Sequence, residues 1–104
     1  MKKLLKEGVK IATQIESLYN ELDYEGYDFF NIHHDNLRIQ MDCSWTEVDE
    51  LEYNVNNPTK KYGDITGKDC AEICIENLKD TLVYVKAVIK LQQQTKDLPT
   101  CIFG

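Results

Sequence analysis

The chain has no long apolar run. None of its segments approaches the ~18 uninterrupted apolar residues of a membrane span. The opening MKKLLKEGVK has the lysines of a signal peptide, but Lys6 and Glu7 interrupt it before any apolar stretch forms. The expectation is a protein that stays in the cytosol that made it, where the cysteines Cys43, Cys70, Cys74 and Cys101 are reduced thiols. Arginine is almost missing, with Arg38 alone among twelve basic residues. That lysine bias, with frequent Asn, Ile and Tyr, points to an AT-rich coding genome such as a low-GC bacterium or its phage. No internal repeat is present.

Catalytic and metal-binding residue types are equally sparse. The only two histidines, His33 and His34, are adjacent in the stretch HHDN. Metal-dependent phosphohydrolases that use a His-Asp pair need further His and Asp ligands across a larger domain. Adjacent residues on a strand also point to opposite faces, which makes a poor metal clamp. HHDN therefore reads as the polar tip of a hairpin. No C-x-x-C knuckle exists. Cys70 and Cys74 lie four apart on one helix face and, with a histidine and Cys43 or Cys101, form a conceivable tetrahedral zinc set, but buried cysteine acting as a small hydrophobe explains both. No histidine is placed to activate a thiol. GDITGKD (63–69) departs from the Walker phosphate loop: three residues separate its glycines where four are needed, and Asp69 stands where a hydroxyl belongs. No catalytic residue, cofactor or metal is assigned.

What is present is a folded-domain composition. The chain has 104 residues, 42% of them apolar, which excludes disorder and allows one domain that buries roughly 65% of its unfolded surface. Residues 2–22 carry an apolar stripe, Leu4, Gly8, Ile11, Ile15, Leu18 and Leu22, flanked by Leu5, Ala12 and Tyr19, which predicts a long helix. Gly8 suits a close crossing with another element. A second long helix is expected from about Asp69 to Thr95, opened by a D-x-x-E capping box at Asp69 and Glu72. Its stripe is Ala71, Ile75, Leu78, Leu82, Val85, Ile89 and Gln92. Between them, LRIQMDCSW (37–45) alternates apolar and polar residues, the pattern of a half-buried strand. With 23–32 it forms the expected hairpin around HHDN. Residues 46–57 fit either a third strand (Leu51, Tyr53, Val55) or a short helix opened at Thr46 and carrying Val48, Leu51 and Val55; the β-branched and aromatic ending favours the strand. NNPTKKYGDITG (56–67) is a loop, and DLPTCIFG (97–104) a loosely packed tail.

The predicted class is therefore α+β: a long N-terminal helix, a two- or three-stranded antiparallel sheet, and a long C-terminal helix, all in one domain. The helices cover the apolar face of the sheet, and their surplus length suits a homodimer.

Charge supplies the functional signal. Net charge is +1 over residues 1–22, −8 over 23–57 and +1 over 58–104, together −6. The acids Asp23, Glu25, Asp28, Asp42, Glu47, Asp49, Glu50 and Glu52 are interleaved with Tyr24, Tyr27 and Tyr53. Carboxylates mixed with tyrosine suit a surface that steers and grips a basic protein, such as a nuclease or another nucleic-acid-binding protein. Phage inhibitors of bacterial defence and immunity proteins that neutralise nuclease toxins are analogous in size and charge. Direct nucleic-acid binding conflicts with net −6. A second expectation, from a different class, is an oligomeric protein that sequesters a small ligand such as a nucleotide, its phosphate held by Lys60, Lys61, Gly67 and Lys68.

Overall fold

The computed structural model describes residues 2–21 and 31–96. In chain order these form α1 (Lys2–Asn20), α2 (Asn31–Asn56), β1 (Lys61–Tyr62), β2 (Ile65–Thr66) and α3 (Gly67–Lys96). The fold is helix-rich α+β, with a long first helix, a two-stranded antiparallel sheet and a long last helix.

The first and last helices follow their stripes. α1 buries Gly8, Ile11, Ala12 and Ile15, and α3 buries Ala71, Cys74, Ile75, Leu78 and Val85. Gly8 stands at a helix crossing: a Cβ there would run into Leu51 Cδ2 of α2 and come within 3.4 and 3.5 Å of Leu78 and Ile75 of α3. Its missing side chain lets α1 reach both partners at once.

The sheet lies elsewhere than expected. Residues 37–45 belong to α2, as does 46–56, so neither the predicted strand nor the third strand forms. His33 to Asn36 are helical residues of α2 and not a hairpin tip; of the expected first strand, 23–32, residues 23–30 lie outside the described residues and 31–32 begin α2. The physical reason lies in two overlapping periods. Leu37, Met41 and Trp45 fit both a two-residue and a 3.6-residue repeat, so they cannot distinguish strand from helix. The residues that can are Ile39, Cys43, Ser44 and Val48. The structure leaves Ile39 51% exposed and Cys43 exposed, and it buries Ser44 and Val48. The stripe of α2 is then Leu37, Met41, Ser44, Val48, Leu51 and Val55, spaced four and three. Ser44 enters the core because its hydroxyl donates to the Gln40 carbonyl at 2.8 Å, within the helix's own backbone.

The three helices pack on one another and hold the core between them, so they do not serve as a cover for a sheet. α2 and α3 run antiparallel: Asn36 bonds to Tyr84 at one end, and Glu47 to Asn77 nearer the other. The small sheet sits in the connection. Lys61 pairs with Thr66 and Tyr62 with Ile65, leaving Gly63-Asp64 as a two-residue turn. Gly63 has φ +66°, and no other residue among those described has positive φ, which fits a turn of the II′ kind with glycine first. This hairpin lies inside the segment read from sequence as plain loop.

The start of α3 is closed by a capping box three residues earlier than expected. Thr66, not Asp69, is the N-cap: Asp69 N–H donates to Thr66 Oγ1 at 3.4 Å, and Thr66 N–H donates to Asp69 Oδ2 at 2.9 Å. The Thr66 hydroxyl adds a donor to the same oxygen at 3.0 Å. Thr66→Ala is expected to cost about 1 kcal/mol in urea denaturation. The Thr66 backbone amide and hydroxyl hold the Asp69 carboxyl below its ordinary range. A carboxyl depressed in the folded state contributes stability that is present above its unfolded pKa and lost as pH falls through the folded value. Asp69→Asn keeps an acceptor oxygen and removes the titration, so its stability should fall less between about pH 5 and about pH 2 than that of the parent chain. An identical acid profile would place the cap's acceptor elsewhere.

Candidate functional site

A cleft of about 670 Å³ opens where the C-terminal half of α2 faces the hairpin and the first turns of α3. Its α2 wall carries Glu47, Asp49, Glu50, Tyr53 and Asn54. The hairpin side brings Lys60 and Tyr62, and α3 brings Cys70, Ile73, Cys74 and Asn77. The α2 residues converge because they are spaced three and four apart, which places them along one side of a helix. The antiparallel run of α2 and α3 then sets Cys74 opposite Glu47 and Glu50, although they are distant in sequence.

At the rim, Lys60 Nζ donates to the Tyr53 hydroxyl at 2.5 Å and lies 5.3 Å from the centre of the Tyr62 ring. Hydrogen bonding and charge from Lys60 lower the Tyr53 pKa, and the Tyr53 hydroxyl in turn raises that of Lys60. Tyr62 is raised, chiefly by burial. The ammonium ties the segment just before β1 to α2 and leaves Tyr53 47% exposed.

Deeper in the cleft, the ligand atoms of Glu47, Glu50 and Cys74 lie within 4.8 Å of one another. Burial, followed by a hydrogen bond to the Glu47 carboxylate, pushes the Cys74 thiol up to about 12, so it carries its proton at neutral pH. Asn77 Nδ2 donates to Glu47 Oε1 at 3.1 Å and orients that carboxylate. Asn54 is only 7% exposed; its Nδ2 donates to the Glu50 carbonyl at 2.9 Å, and its Oδ1 is buried without a donor.

Of the residues expected to meet a partner, Asp23, Tyr24, Glu25, Tyr27 and Asp28 lie outside the described residues. Asp42, Glu47, Asp49, Glu50, Glu52 and Tyr53 all lie on α2. Glu47, Asp49, Glu50 and Tyr53 meet at the cleft, whereas Asp42 and Glu52 do not line it. Of the residues expected to hold a phosphate, Lys60 is engaged with Tyr53. The Gly67 and Lys68 amides donate to the Lys60 and Pro58 carbonyls at 2.8 and 2.9 Å. Both amides are thus turned into the protein. Cys43 is exposed on α2, and Cys101 lies outside the described residues.

Sequence reasoning missed Asn54 and the meeting of Cys74 with two glutamates. Glu47, Glu50 and Asn54 do carry the signal, because the spacing i, i+3, i+7 becomes one helical face once 46–56 is helix. No protein-family model, curated protein or solved structure matches this chain.

Proposed function

We propose that this chain is a small acidic interaction module that binds and masks a basic partner, acting as an antagonist of a nucleic-acid-binding protein such as a nuclease. One observation carries the reading. α2 holds six carboxylates against Arg38 alone, and among the described residues none of Asp42, Glu47, Asp49, Glu50 or Glu52 is paired with a lysine or arginine. Arg38 itself leans toward Asp35, at 3.9 Å. Acids locked into internal ion pairs would present no field to a partner; these remain free to do so.

The helix backbone strengthens the effect. Glu47 to Glu52 sit toward the C-terminus of α2, where the helix dipole is negative, and the last turn has no basic residue to offset it. Such an arrangement weakens the isolated helix, and it concentrates negative potential beside an exposed tyrosine. Tyr53 supplies a contact surface with little rotamer entropy to lose, as an interface anchor requires. A cation from the partner can approach the carboxylates while its stem lies on the Tyr53 ring. The carboxylates then stand where phosphates sit on the partner's usual ligand.

The test uses the basic protein that co-purifies with the chain from its host. Association should slow steeply with added salt, and reversing Asp49, Glu50 and Glu52 together to lysine should lower the association rate at low salt by about tenfold or more. Dissociation should change less. An association rate unaltered by the reversal would remove the masking proposal.

A further inference from the structure

The deeper part of the cleft has a chemistry that a merely acidic face does not explain. We propose that Glu47, Glu50 and Cys74, in the cleft that Asn54 also lines, form a binding site for a single zinc ion. The inference does not rest on the partner-masking function.

Three features converge. First, two carboxylate oxygens and one sulfur lie within 4.8 Å of one another, contributed by two different helices. Tetrahedral zinc with ordinary bond lengths needs neighbouring ligand atoms about 3.5 Å apart. Glu50 is exposed and Glu47 half-buried, so both carboxylates have room to turn toward the sulfur. Second, Asn54 stands on the same side of α2, lines the same cleft and is more than nine-tenths buried, with Oδ1 lacking any donor. Its amide cannot be reversed to cure this, because the Glu50 carbonyl accepts from Nδ2 and has no proton to give. A buried amide oxygen without a donor is costly, and a cation satisfies it. Third, Asn77 already holds one oxygen of Glu47, the kind of outer contact that orients a metal ligand.

The donor set selects the ion. Calcium and magnesium take oxygen ligands and gain nothing from the Cys74 sulfur. A borderline ion such as zinc takes sulfur and carboxylate oxygen together. On binding, zinc replaces the thiol proton that now faces Glu47, and that proton passes to solvent. The zinc set conceivable from sequence joined Cys74 to Cys70, a histidine and Cys43 or Cys101; the structure instead sets Cys74 beside two glutamates.

The experiment titrates the metal-free full chain with zinc by calorimetry, and with cobalt(II) by absorption as a spectroscopic stand-in. The expected result is one ion per chain and a sulfur-to-cobalt charge-transfer band. Glu50→Gln should weaken zinc binding about tenfold or more. Cys74→Ser should abolish the sulfur band, while Cys43→Ser, on an exposed thiol outside the cleft, leaves both readouts unchanged. Glu50 is exposed, so its variant decides the matter even if Cys74→Ser fails to fold. Absence of the sulfur band in the parent chain overturns the site, as does zinc affinity that Glu50→Gln leaves unaltered; either result leaves the masking function standing, because no partner takes part.

Discussion

Leu51→Ala is expected to cost about 2–5 kcal/mol of folding stability, in the upper half of that range, measured by urea denaturation followed by helical circular dichroism. Leu51 is fully buried on α2 and meets α1 where Gly8 has no side chain. Truncation removes three carbons from the point where all three helices approach. The neighbours have little means of filling the space: Gly8 has no atoms to swing inward, and Ile75 and Leu78 of α3 are themselves buried. A domain of this size has only about 5–15 kcal/mol in total, so the variant should be partly unfolded at moderate temperature. Tyr53→Ala provides the internal comparison. A strand over 46–57 would place Leu51, Tyr53 and Val55 on one buried face, and both substitutions would be severe. In the helix Tyr53 is about half exposed, and its loss should stay near or below about 1 kcal/mol. Equal losses at the two positions would reject the helical register of α2.

Gly67→Ala should destabilise the chain by about 1–3 kcal/mol, the reverse of the gain that alanine ordinarily gives over glycine in a helix. Gly67 does not have positive φ, so conformational freedom is not the reason for glycine here. The constraint is close approach. A Cβ would collide with the Asn57 carbonyl oxygen and lie 2.9 Å from the Asn57 carbonyl carbon and 3.1 Å from Pro58 Cα. These are backbone atoms, which cannot rotate aside as a leucine tip can. The same approach lets the Gly67 and Lys68 amides reach the Lys60 and Pro58 carbonyls, satisfying donors that would otherwise be left open at the helix start. Thermal denaturation of Gly67→Ala against the parent chain checks the sign. A rise in melting temperature would mean that the 57–60 segment does not lie against the beginning of α3.

Some of the architecture was legible from residue order. The stripes of α1 and α3 are regular over several turns, and no competing period fits them. α3 begins at Gly67 and ends at Lys96, close to the expected limits. The two-stranded antiparallel sheet was expected, but its position was not. KYGDIT contains a two-residue turn led by glycine, a signal obscured by the surrounding Asn, Pro and Lys. The stripe of α2 is broken by Ser44 at a core position and by apolar Ile39 and Cys43 off it, so the stronger visible pattern was the wrong one.

Sequence by itself determined two long amphipathic helices and a net negative charge that belongs to residues 23–57, because periodicity and charge are properties of residue order. Only the tertiary structure decided that the middle of the chain is helix. There a buried serine can satisfy its hydroxyl within the backbone, and packing between α1 and α3 outweighs the alternating pattern. The same antiparallel packing set Cys74 against Glu47 and Glu50, a meeting that depends on how two helices are joined and on no local spacing.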